Sequence, residues 1–177
     1  MTTQTKACAS SLALDQNGLN AAGTSLGDGA VIPAYGPHPD AIVTLLSESL
    51  ATELVGVLRY KRRHFLTSGL ASPEIADDVM VHANTESAHA DRIAKRIVQL
   101  GGEPDFSPNA VLQVSCADYD ESSVLKTMVR TNLTAERIAV ESYRQMIDLL
   151  TDKAPTTRRL LEDIRAGEEA HAVELSD

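Results

Sequence analysis

The chain has 177 residues, 25 of them acidic and 16 basic, which gives a formal net charge of -9 at pH 7. This length suits one domain with a substantial core. The acidic balance disfavours a general nucleic-acid-binding surface, which needs clustered Lys and Arg. No apolar run approaches the roughly 20 residues needed to span a bilayer, so we expect a soluble protein.

Composition also bears on fold class and compartment. Aromatic residues make up only 3% of the chain, and the apolar residues are mostly Leu, Ala, Val and Ile, which suits packed helices better than a sheet. Cys8 and Cys116 fit neither a disulfide framework nor a zinc site, so a reduced cytoplasmic setting is expected. The N-terminus lacks the basic start and the apolar stretch of a secretory signal.

The N-terminal segment differs from the rest of the chain. Residues 1–38 have no helical period and are rich in Ala, Gly, Ser, Thr and Asn. They are expected to form a partly disordered tail or an arm that wraps around another part of the protein. His38-Pro39-Asp40 opens the first long helix, which places the helical domain at residues 39–177.

Two helical segments follow, each with inward-facing residues at alternating steps of three and four. Ser68-Gly69 ends the first helix, and Ser72-Pro73-Glu74 begins the second with a Pro in its first turn. Gly101-Gly102 ends the second. The inward residues are Leu46, Leu50, Glu53, Val57, Tyr60 and His64 in the first helix, and Val79, His82, Glu86, His89, Ile93 and Leu100 in the second.

The segment from Gly102 to about Glu121 is long for a helix connection, and it suits a crossover between parallel helices with one helical turn near Asn109 to Val114. Ser122 or Ser123 is expected to cap the third helix, and Ala154-Pro155 to break it, with the fourth beginning near Thr156. The inward residues of these two helices are Val129, Asn132, Glu136, Ala139, Tyr143, Met146 and Leu150, then Leu161, Ile164, Glu168, His171 and Leu175.

One set of residue types occurs twice: a Glu, a Tyr seven residues later, and a Glu-x-x-His on the following helix. The two copies are Glu53, Tyr60, Glu86 and His89, then Glu136, Tyr143, Glu168 and His171. Residues three, four and seven apart share one face of a helix, so each Glu-x-x-His can aim both groups at one point. In an all-α four-helix bundle, two such motifs and a Glu from each other helix can surround two metal ions.

The position of the four glutamates favours a metal site over a surface role. A glutamate on a helix is usually solvated, but these four fall where the apolar period places the core, and an unpaired charge there is very costly. Bound cations neutralise such a cluster. Carboxylates with one imidazole per metal suit iron or manganese. A structural bundle whose buried polar groups pair with one another is the alternative.

Three motifs resemble the bacterioferritin branch of the ferritin-like superfamily. Residues 86–92, Glu-Ser-Ala-His-Ala-Asp-Arg, are similar to its second-helix motif Glu-x-Lys-His-Ala-Asp-Arg. Leu133-Thr-Ala-Glu136 resembles its third-helix motif and Glu168-Glu-Ala-His171 its fourth. The resemblance covers residues from about 39 to 177 and implies a ferritin-like four-helix bundle with a long crossover between helices 2 and 3.

The resemblance also assigns roles to individual residues. It implies that Glu86 and Glu168 bridge two metals and that Tyr60 lies beside them. The terminal ligands it implies are Glu53 and His89 on one metal and Glu136 and His171 on the other. Tyr143 is the internal counterpart of Tyr60, and a core aromatic is an equal alternative for it. Haem-binding members place a Met after the first bridging Glu, where this chain has Ser87, so no haem is expected.

The implied activity is that of a ferroxidase with two iron ions per subunit, manganese being the alternative metal. It would oxidise Fe(II) with peroxide or dioxygen and store the product in a hollow shell. A non-storage di-metal oxidase, a manganese catalase and a DNA-protecting mini-ferritin are the competing functions. DNA is a disfavoured partner because the tail has Lys6 against Asp15 and Asp28.

The resemblance bears on assembly too. The chain ends six residues beyond His171, whereas bacterioferritins add a fifth helix around fourfold axes. We therefore expect a homo-oligomeric cage of 12 subunits as in Dps-like proteins, with 24 as the alternative.

Other charged residues have less specific interpretations. His82 lies one turn before Glu86, and a hydrogen-bonded core histidine is the favoured interpretation, with an outer ligand or proton carrier as the alternative; His64 is similar. The run Arg59, Lys61, Arg62 and Arg63 is expected to form a solvated or intersubunit salt-bridging face.

Overall fold

The computed structural model describes residues 14–24, 26–32, 39–67, 73–150 and 154–176. Within those ranges the regular structure is helical and contains no strand, as the composition predicted. A short 3-10 helix spans Leu26–Asp28. The α-helices are α1 (Gln16–Ala22), α2 (Pro39–Thr67), α3 (Pro73–Gln99), α4 (Pro108–Val114), α5 (Leu125–Leu150) and α6 (Pro155–Glu174).

Helices α2, α3, α5 and α6 form the four-helix bundle, which confirms the predicted fold class. The most extensive contacts join α2 to α3 and α5 to α6, and the short helix α4 packs on α2. The apolar core takes residues from the first half of α2 and α6 and the second half of α3 and α5. Helix α5 therefore runs parallel to α3, and the connection between them is the predicted crossover along the bundle.

Proline and glycine set several helix ends. Three helices begin with a proline, at Pro73, Pro108 and Pro155. A backbone N–H at the first helical position has no acceptor within the helix, so proline loses nothing there. Pro155 thus starts α6 one residue earlier than predicted. Gly101 follows α3 with φ of +82°, a left-handed conformation that favours glycine. Helix α5 begins at Leu125 rather than directly after Ser122 or Ser123. The Ser122 hydroxyl accepts a hydrogen bond from the Val124 amide just before the helix.

The predicted inward positions are largely buried. Four of them are only half-buried, namely Val57, His64, Val79 and Leu175. Val129 was placed wrongly: it is 38% exposed, and its neighbour Met128 is buried in its place. The two lie one residue apart, which on a helix is a rotation of about 100°, so a small error in the helix period is enough to exchange them.

Two arginines expected on a solvated face are buried instead. Arg59 and Arg63 are only 3% and 1% exposed. Arg63 donates to the Met128 carbonyl at 2.8 Å and pairs with Asp120 at 2.7 Å. Arg62, beside them, donates to the carbonyl of Glu121 at 2.7 Å. These guanidinium groups hold the end of the crossover and the start of α5 against α2.

The described part of the N-terminal segment contains a short helix that the sequence period did not predict. The side chain of Asp15 caps α1 by accepting from the Asn17 amide, and no residue of α1 is buried. His38, Ser68-Gly69, Ser72 and Cys8 lie outside the described residues.

Helix α2 alone, among the described helices, is long and apolar enough to cross a membrane by length and composition. No such segment was predicted from the sequence. This helix also contributes buried Glu53, Tyr60 and Arg63 to the bundle, as expected for the core helix of a soluble protein.

Candidate metal centre

The six predicted ligands meet in the middle of the bundle. Glu53 lies on α2, Glu86 and His89 on α3, Glu136 on α5, and Glu168 and His171 on α6. Each is between 1% and 6% exposed. The helical spacing that placed them on inward positions therefore brings them to one buried site.

These side chains form two overlapping groups of possible ligands. The ligand atoms within each group all lie within 4.8 Å of one another. One group is Glu53, Glu86, His89 and Glu168, and the other is Glu86, Glu136, Glu168 and His171.

Glu86 and Glu168 face both histidines, one oxygen toward each. Oε2 of Glu86 lies 3.9 Å from Nδ1 of His89, and its Oε1 lies 3.3 Å from Nδ1 of His171. Oε1 of Glu168 lies 2.8 Å from Nδ1 of His89, and its Oε2 lies 3.7 Å from Nδ1 of His171. This is the arrangement that two bridging carboxylates require.

The other two glutamates each face one histidine. Oε2 of Glu53 lies 3.4 Å from His89 Nδ1, and Oε2 of Glu136 lies 3.6 Å from His171 Nδ1. Their remaining oxygens accept hydrogen bonds from tyrosines of the opposite helix: Tyr143 donates to Glu53, and Tyr60 donates to Glu136. The site thus has an approximate twofold internal symmetry in which both tyrosines orient a carboxylate.

Several of these buried polar atoms lie near one another but make no hydrogen bond of ordinary geometry among the described residues. They are Glu53 Oε2, Glu86 Oε1, Glu168 Oε1, His89 Nδ1 and His171 Nδ1. Buried polar atoms are almost always satisfied. Two ligands about 2.1 Å from one ion lie about 3 Å apart at right angles and farther apart at wider angles, and the separations above fall in that range. The residues present therefore fit a pair of metal ions.

In the metal-free protein the two histidines hold protons strongly. Burial lowers the pKa of His89, but the carboxylates of Glu168 and Glu53 outweigh burial and raise it to about 9. Burial opposes the charge of His171 as well, and Glu136, Glu168 and Glu86 raise its pKa to about 12. An imidazole must lose its proton before this nitrogen binds a metal, so metal binding releases protons here.

The carboxylates of the centre differ in the direction in which their pKa values are shifted. Burial raises the pKa of Glu86 well above its ordinary value, and the charge of Glu53 adds to that effect. Burial also raises the pKa of Glu136. Burial acts in the same direction on Glu168, but the nearby His171 and His89 outweigh it and lower the pKa of that carboxyl. Four carboxylates this close cannot all stay charged without added positive charge.

Other predicted residues lie around the centre. The His82 ring stacks on the His171 ring with 4.3 Å between centroids, and its Nε2 lies 2.9 Å from Oε2 of Glu174, which agrees with the favoured interpretation of a hydrogen-bonded core histidine. His64 bonds the Ala76 carbonyl at 2.7 Å. Ser87 and Cys116 are exposed. Glu174 was not predicted, although it follows His171 by three residues and so shares its helix face.

Two openings approach the centre. A small cavity on the crossover side touches all four glutamates and is lined also by Gly56, Arg59 and Ala117. The second, which we call the bundle-end cavity, is about 760 Å³. It lies where α2 ends and α3 begins, and its lining includes Tyr60, Asp78, His82, Asn132 and Glu174.

The sequence of this chain matches a known family. The model of the Ferritin-like domain family matches residues 43–177. The chain is a member of the ferritin-like family. Its solved relatives include a dodecameric thioferritin, the bacterioferritin-related protein of Bacteroides fragilis, with a TM-score of 0.75 and 22% identity. That match covers 90% of this chain and 91% of the other.

Curated relatives of this ferritin-like protein include bacterioferritins and a DNA-binding protein. The bacterioferritin of Desulfovibrio desulfuricans is 25% identical over 131 residues, 73% of this chain and 69% of that protein. Its solved structure superposes with a TM-score of 0.70, covering 80% and 81% of the two chains. A nutrient stress-induced DNA-binding protein of Synechococcus is 26% identical over 136 residues, 74% of this chain and 76% of the relative. The resemblance to bacterioferritins inferred from the helix motifs is confirmed.

Proposed function

We propose that this ferritin-like protein is a ferroxidase that oxidises Fe(II) at a dinuclear centre within each subunit. The two ions would be held by the predicted ligands, with Glu86 and Glu168 shared between them. Glu53 and His89 would complete one position, and Glu136 and His171 the other.

One observation carries the proposal: Glu86 and Glu168 each direct one oxygen toward His89 and the other toward His171. A structural bundle with paired buried charges has no need for two carboxylates that each face both histidines. The D. desulfuricans bacterioferritin has a diiron site studied in different catalytic states, which supports iron over manganese as the metal here.

The chemistry that a pair of ferrous ions supplies is a two-electron transfer. Each Fe(II) gives one electron, and hydrogen peroxide with two protons takes both to form two waters. Dioxygen is the alternative oxidant. The chain's own residues bury the site, orient Glu53 and Glu136 through Tyr143 and Tyr60, and hold the protons that ion binding displaces.

Storage requires a shell. We propose that the subunits assemble as a closed cage in the cytoplasm, with residues 1–38 as an arm outside the bundle domain. The B. fragilis relative is dodecameric, and closed symmetry is usual for soluble homo-oligomers. Twelve subunits are therefore favoured over 24.

Iron loading tests the function. The purified protein, freed of metal with a chelator, is given Fe(II) with peroxide or air, and the iron retained per cage is counted. Hundreds of ions per cage support storage. About two per chain would indicate a non-storage oxidase or a manganese catalase-type site, and none would contradict the metal centre. Optical spectra after haem addition check the companion proposal that Ser87 cannot supply a haem ligand: a Soret band would contradict it.

The second candidate is DNA protection, which the Synechococcus relative favours. The net charge of -9 opposes it. A gel-shift assay at low salt decides between them, since retardation of linear DNA by the metal-free cage would favour this candidate.

A further inference from the structure

Arg59 is a buried cation with few partners. It is 3% exposed, and its Nε has no hydrogen-bond partner among the described residues. Its hydrogen bond to the carbonyl oxygen of Asp118 is long, at 3.4 Å. Within the described part of the chain it makes no ion pair, and the nearby Asp120 pairs with Arg63 instead. A guanidinium group carries five N–H donors and stays charged, so burial here calls for a further acceptor.

The side chain of Arg59 lies at the boundary between two spaces. The small cavity that touches all four glutamates has a volume of about 20 Å³. A space of roughly 10 to 15 Å³ admits one water, so this cavity admits a molecule of two small atoms. The outer cleft, which Asp118 and Arg130 also line, measures about 360 Å³. Both spaces are lined by Arg59, Ala117 and Ala135, and of these three side chains only that of Arg59 is polar.

The charge around Arg59 favours a ligand that can become negative. Two divalent ions balance the charge of four carboxylates, so an occupied centre would not offset the guanidinium charge. Burial and the nearby charge of Arg59 both lower the pKa of Arg63, which shows that the two guanidinium groups lie close together. A hydrogen-bond acceptor that gains negative charge during the reaction is therefore stabilised at this boundary.

Hydrogen peroxide meets these requirements better than dioxygen does. Its two oxygens match the size of the small cavity, and each accepts hydrogen bonds and gains negative charge as the O–O bond breaks. Dioxygen has the size but accepts hydrogen bonds poorly. A water molecule could satisfy an N–H donor of Arg59, but it would gain no charge in the reaction.

We propose that the small cavity holds hydrogen peroxide for the reaction and that Arg59 positions it by donating a hydrogen bond. This proposal rests on the ferroxidase function and names peroxide as the oxidant. The O–O bond breaks as peroxide takes one electron from each of two ferrous ions, and the two hydroxides that form take up two protons and leave as water. Arg59 keeps its own proton and stabilises the negative charge on these oxygens.

Arg59→Met tests this role by kinetics. Replacing an unpaired buried cation with an apolar side chain of similar length should not weaken the fold, which thermal unfolding checks. With peroxide, kcat/KM for the oxidation of Fe(II) should fall about 100-fold, as when one donor to a developing charge is removed. The rate with dioxygen should be nearly unchanged. Arg59→Lys, which keeps the charge, should recover part of the rate with peroxide.

Arg130→Met is the matched control. Arg130 is exposed and lines the outer cleft but not the small cavity, so this variant should keep the wild-type kcat/KM with peroxide. A loss as large as that in Arg59→Met would show that the positive charge of the cleft acts at a distance, against the proposed contact. An equal loss with both oxidants in Arg59→Met would indicate a purely structural role. No loss with either oxidant would show that water satisfies Arg59.

Azide binding gives a readout that does not depend on turnover. Metal-free protein is loaded with Co(II), and azide, a small anion that accepts hydrogen bonds, is titrated while the visible absorption of the cobalt is recorded. Arg59→Met should bind azide at least about tenfold more weakly, as expected for losing a hydrogen bond to a charged group. The number of Co(II) ions bound per chain should stay the same.

The cobalt experiment also separates this proposal from the ferroxidase function. Equal azide affinity in wild type and Arg59→Met would overturn the role of Arg59 and leave the dinuclear centre intact. A wild-type protein that binds no Co(II) and oxidises no Fe(II) would overturn both.

Discussion

Tyr143 on α5 donates a hydrogen bond to Glu53 on α2, across the bundle from its own helix. The opposite bond, from Tyr60 on α2 to Glu136 on α5, completes a reciprocal pair. Sequence alone could not decide whether Tyr143 was a core aromatic or part of the site. The structure shows both, because the ring belongs to the apolar core while the hydroxyl orients a predicted ligand.

Removing either hydroxyl should weaken one ion position. Tyr143→Phe leaves Glu53 without its partner, and loss of such a supporting hydrogen bond typically costs 10 to 100-fold in metal affinity. Tyr60→Phe should act in the same way on the position of Glu136. Calorimetric titration with Mn(II) measures both, and Tyr119→Phe, in the exposed crossover, is the control. An unchanged affinity in both variants would show that the tyrosines only fill space.

The bridging glutamates should matter more than the terminal ones. Glu86→Ala removes an oxygen from both ion positions, so Fe(II) oxidation with peroxide should fall by at least about 100-fold, beyond the usual effect of losing a supporting residue. Glu53→Ala should mainly weaken the position next to His89. Stopped-flow oxidation combined with a metal count distinguishes them. Near-wild-type activity in Glu86→Ala would contradict the assignment of this residue as a bridge.

Gly167 should be needed for the position of His89. A Cβ at residue 167 would lie 3.1 Å from both Cε1 and Nε2 of that imidazole, so Gly167→Ala must displace the ring. Metal affinity should fall about 10-fold. The displaced ring should also lower the free energy of unfolding, and the higher helix propensity of alanine, about 1 kcal/mol, offsets part of that loss.

Gly56→Ala is the matched comparison for that variant. Its nearest contact would be the Cγ of Glu86 at 3.4 Å, which is close to ordinary van der Waals distance, so its effect on metal affinity should be smaller. Equal effects of the two variants, measured by calorimetry and thermal unfolding, would show that the contact with His89 is not decisive.

The metal-free protein should lose stability as the pH rises. The pKa of His89 is about 9 when folded, against 6.5 ordinarily, so its contribution to the free energy of unfolding is fully present below pH 6.5 and is lost as pH rises to about 9. His171, with a folded pKa of about 12, extends the loss to higher pH. The raised pKa of Glu86 likewise lowers the stability as the pH rises above the ordinary pKa of a glutamate.

Thermal unfolding of chelator-treated protein between pH 6 and pH 9.5 measures this loss. Protein loaded with Mn(II) should be less sensitive to pH over the same range, because the ions replace the protons. A melting temperature that rises with pH in the metal-free protein would contradict the stated charge states of the histidines.

Light scattering measures the assembly. Twelve chains of 19.0 kDa give a mass on the order of 230 kDa for a closed shell. Twice that mass would favour 24 subunits, and a stable dimer would remove the case for storage.

The convergence of the six predicted ligands on one buried cluster could be predicted from the sequence because these residues follow the helix period. Glu86 and His89 are three residues apart on one helix, so local geometry places both, and the second copy of the pattern confirms the register. Arg59 and Arg63 could not be placed in this way. Their hydrogen-bond partners belong to the crossover and the start of α5, about 60 residues away, and a solvated arginine has the same local sequence as a buried one. The inward position predicted for Val129 was wrong for a related reason, since its neighbour Met128 is equally apolar.

The division of the bundle into two helical hairpins gives the centre a further property. Three members of one ligand group come from the α2–α3 hairpin and the fourth, Glu168, from α6; three members of the other come from the α5–α6 hairpin and the fourth, Glu86, from α3. Neither hairpin alone can hold an ion with a full set of donors. Each ion held there would therefore join the two halves of the chain.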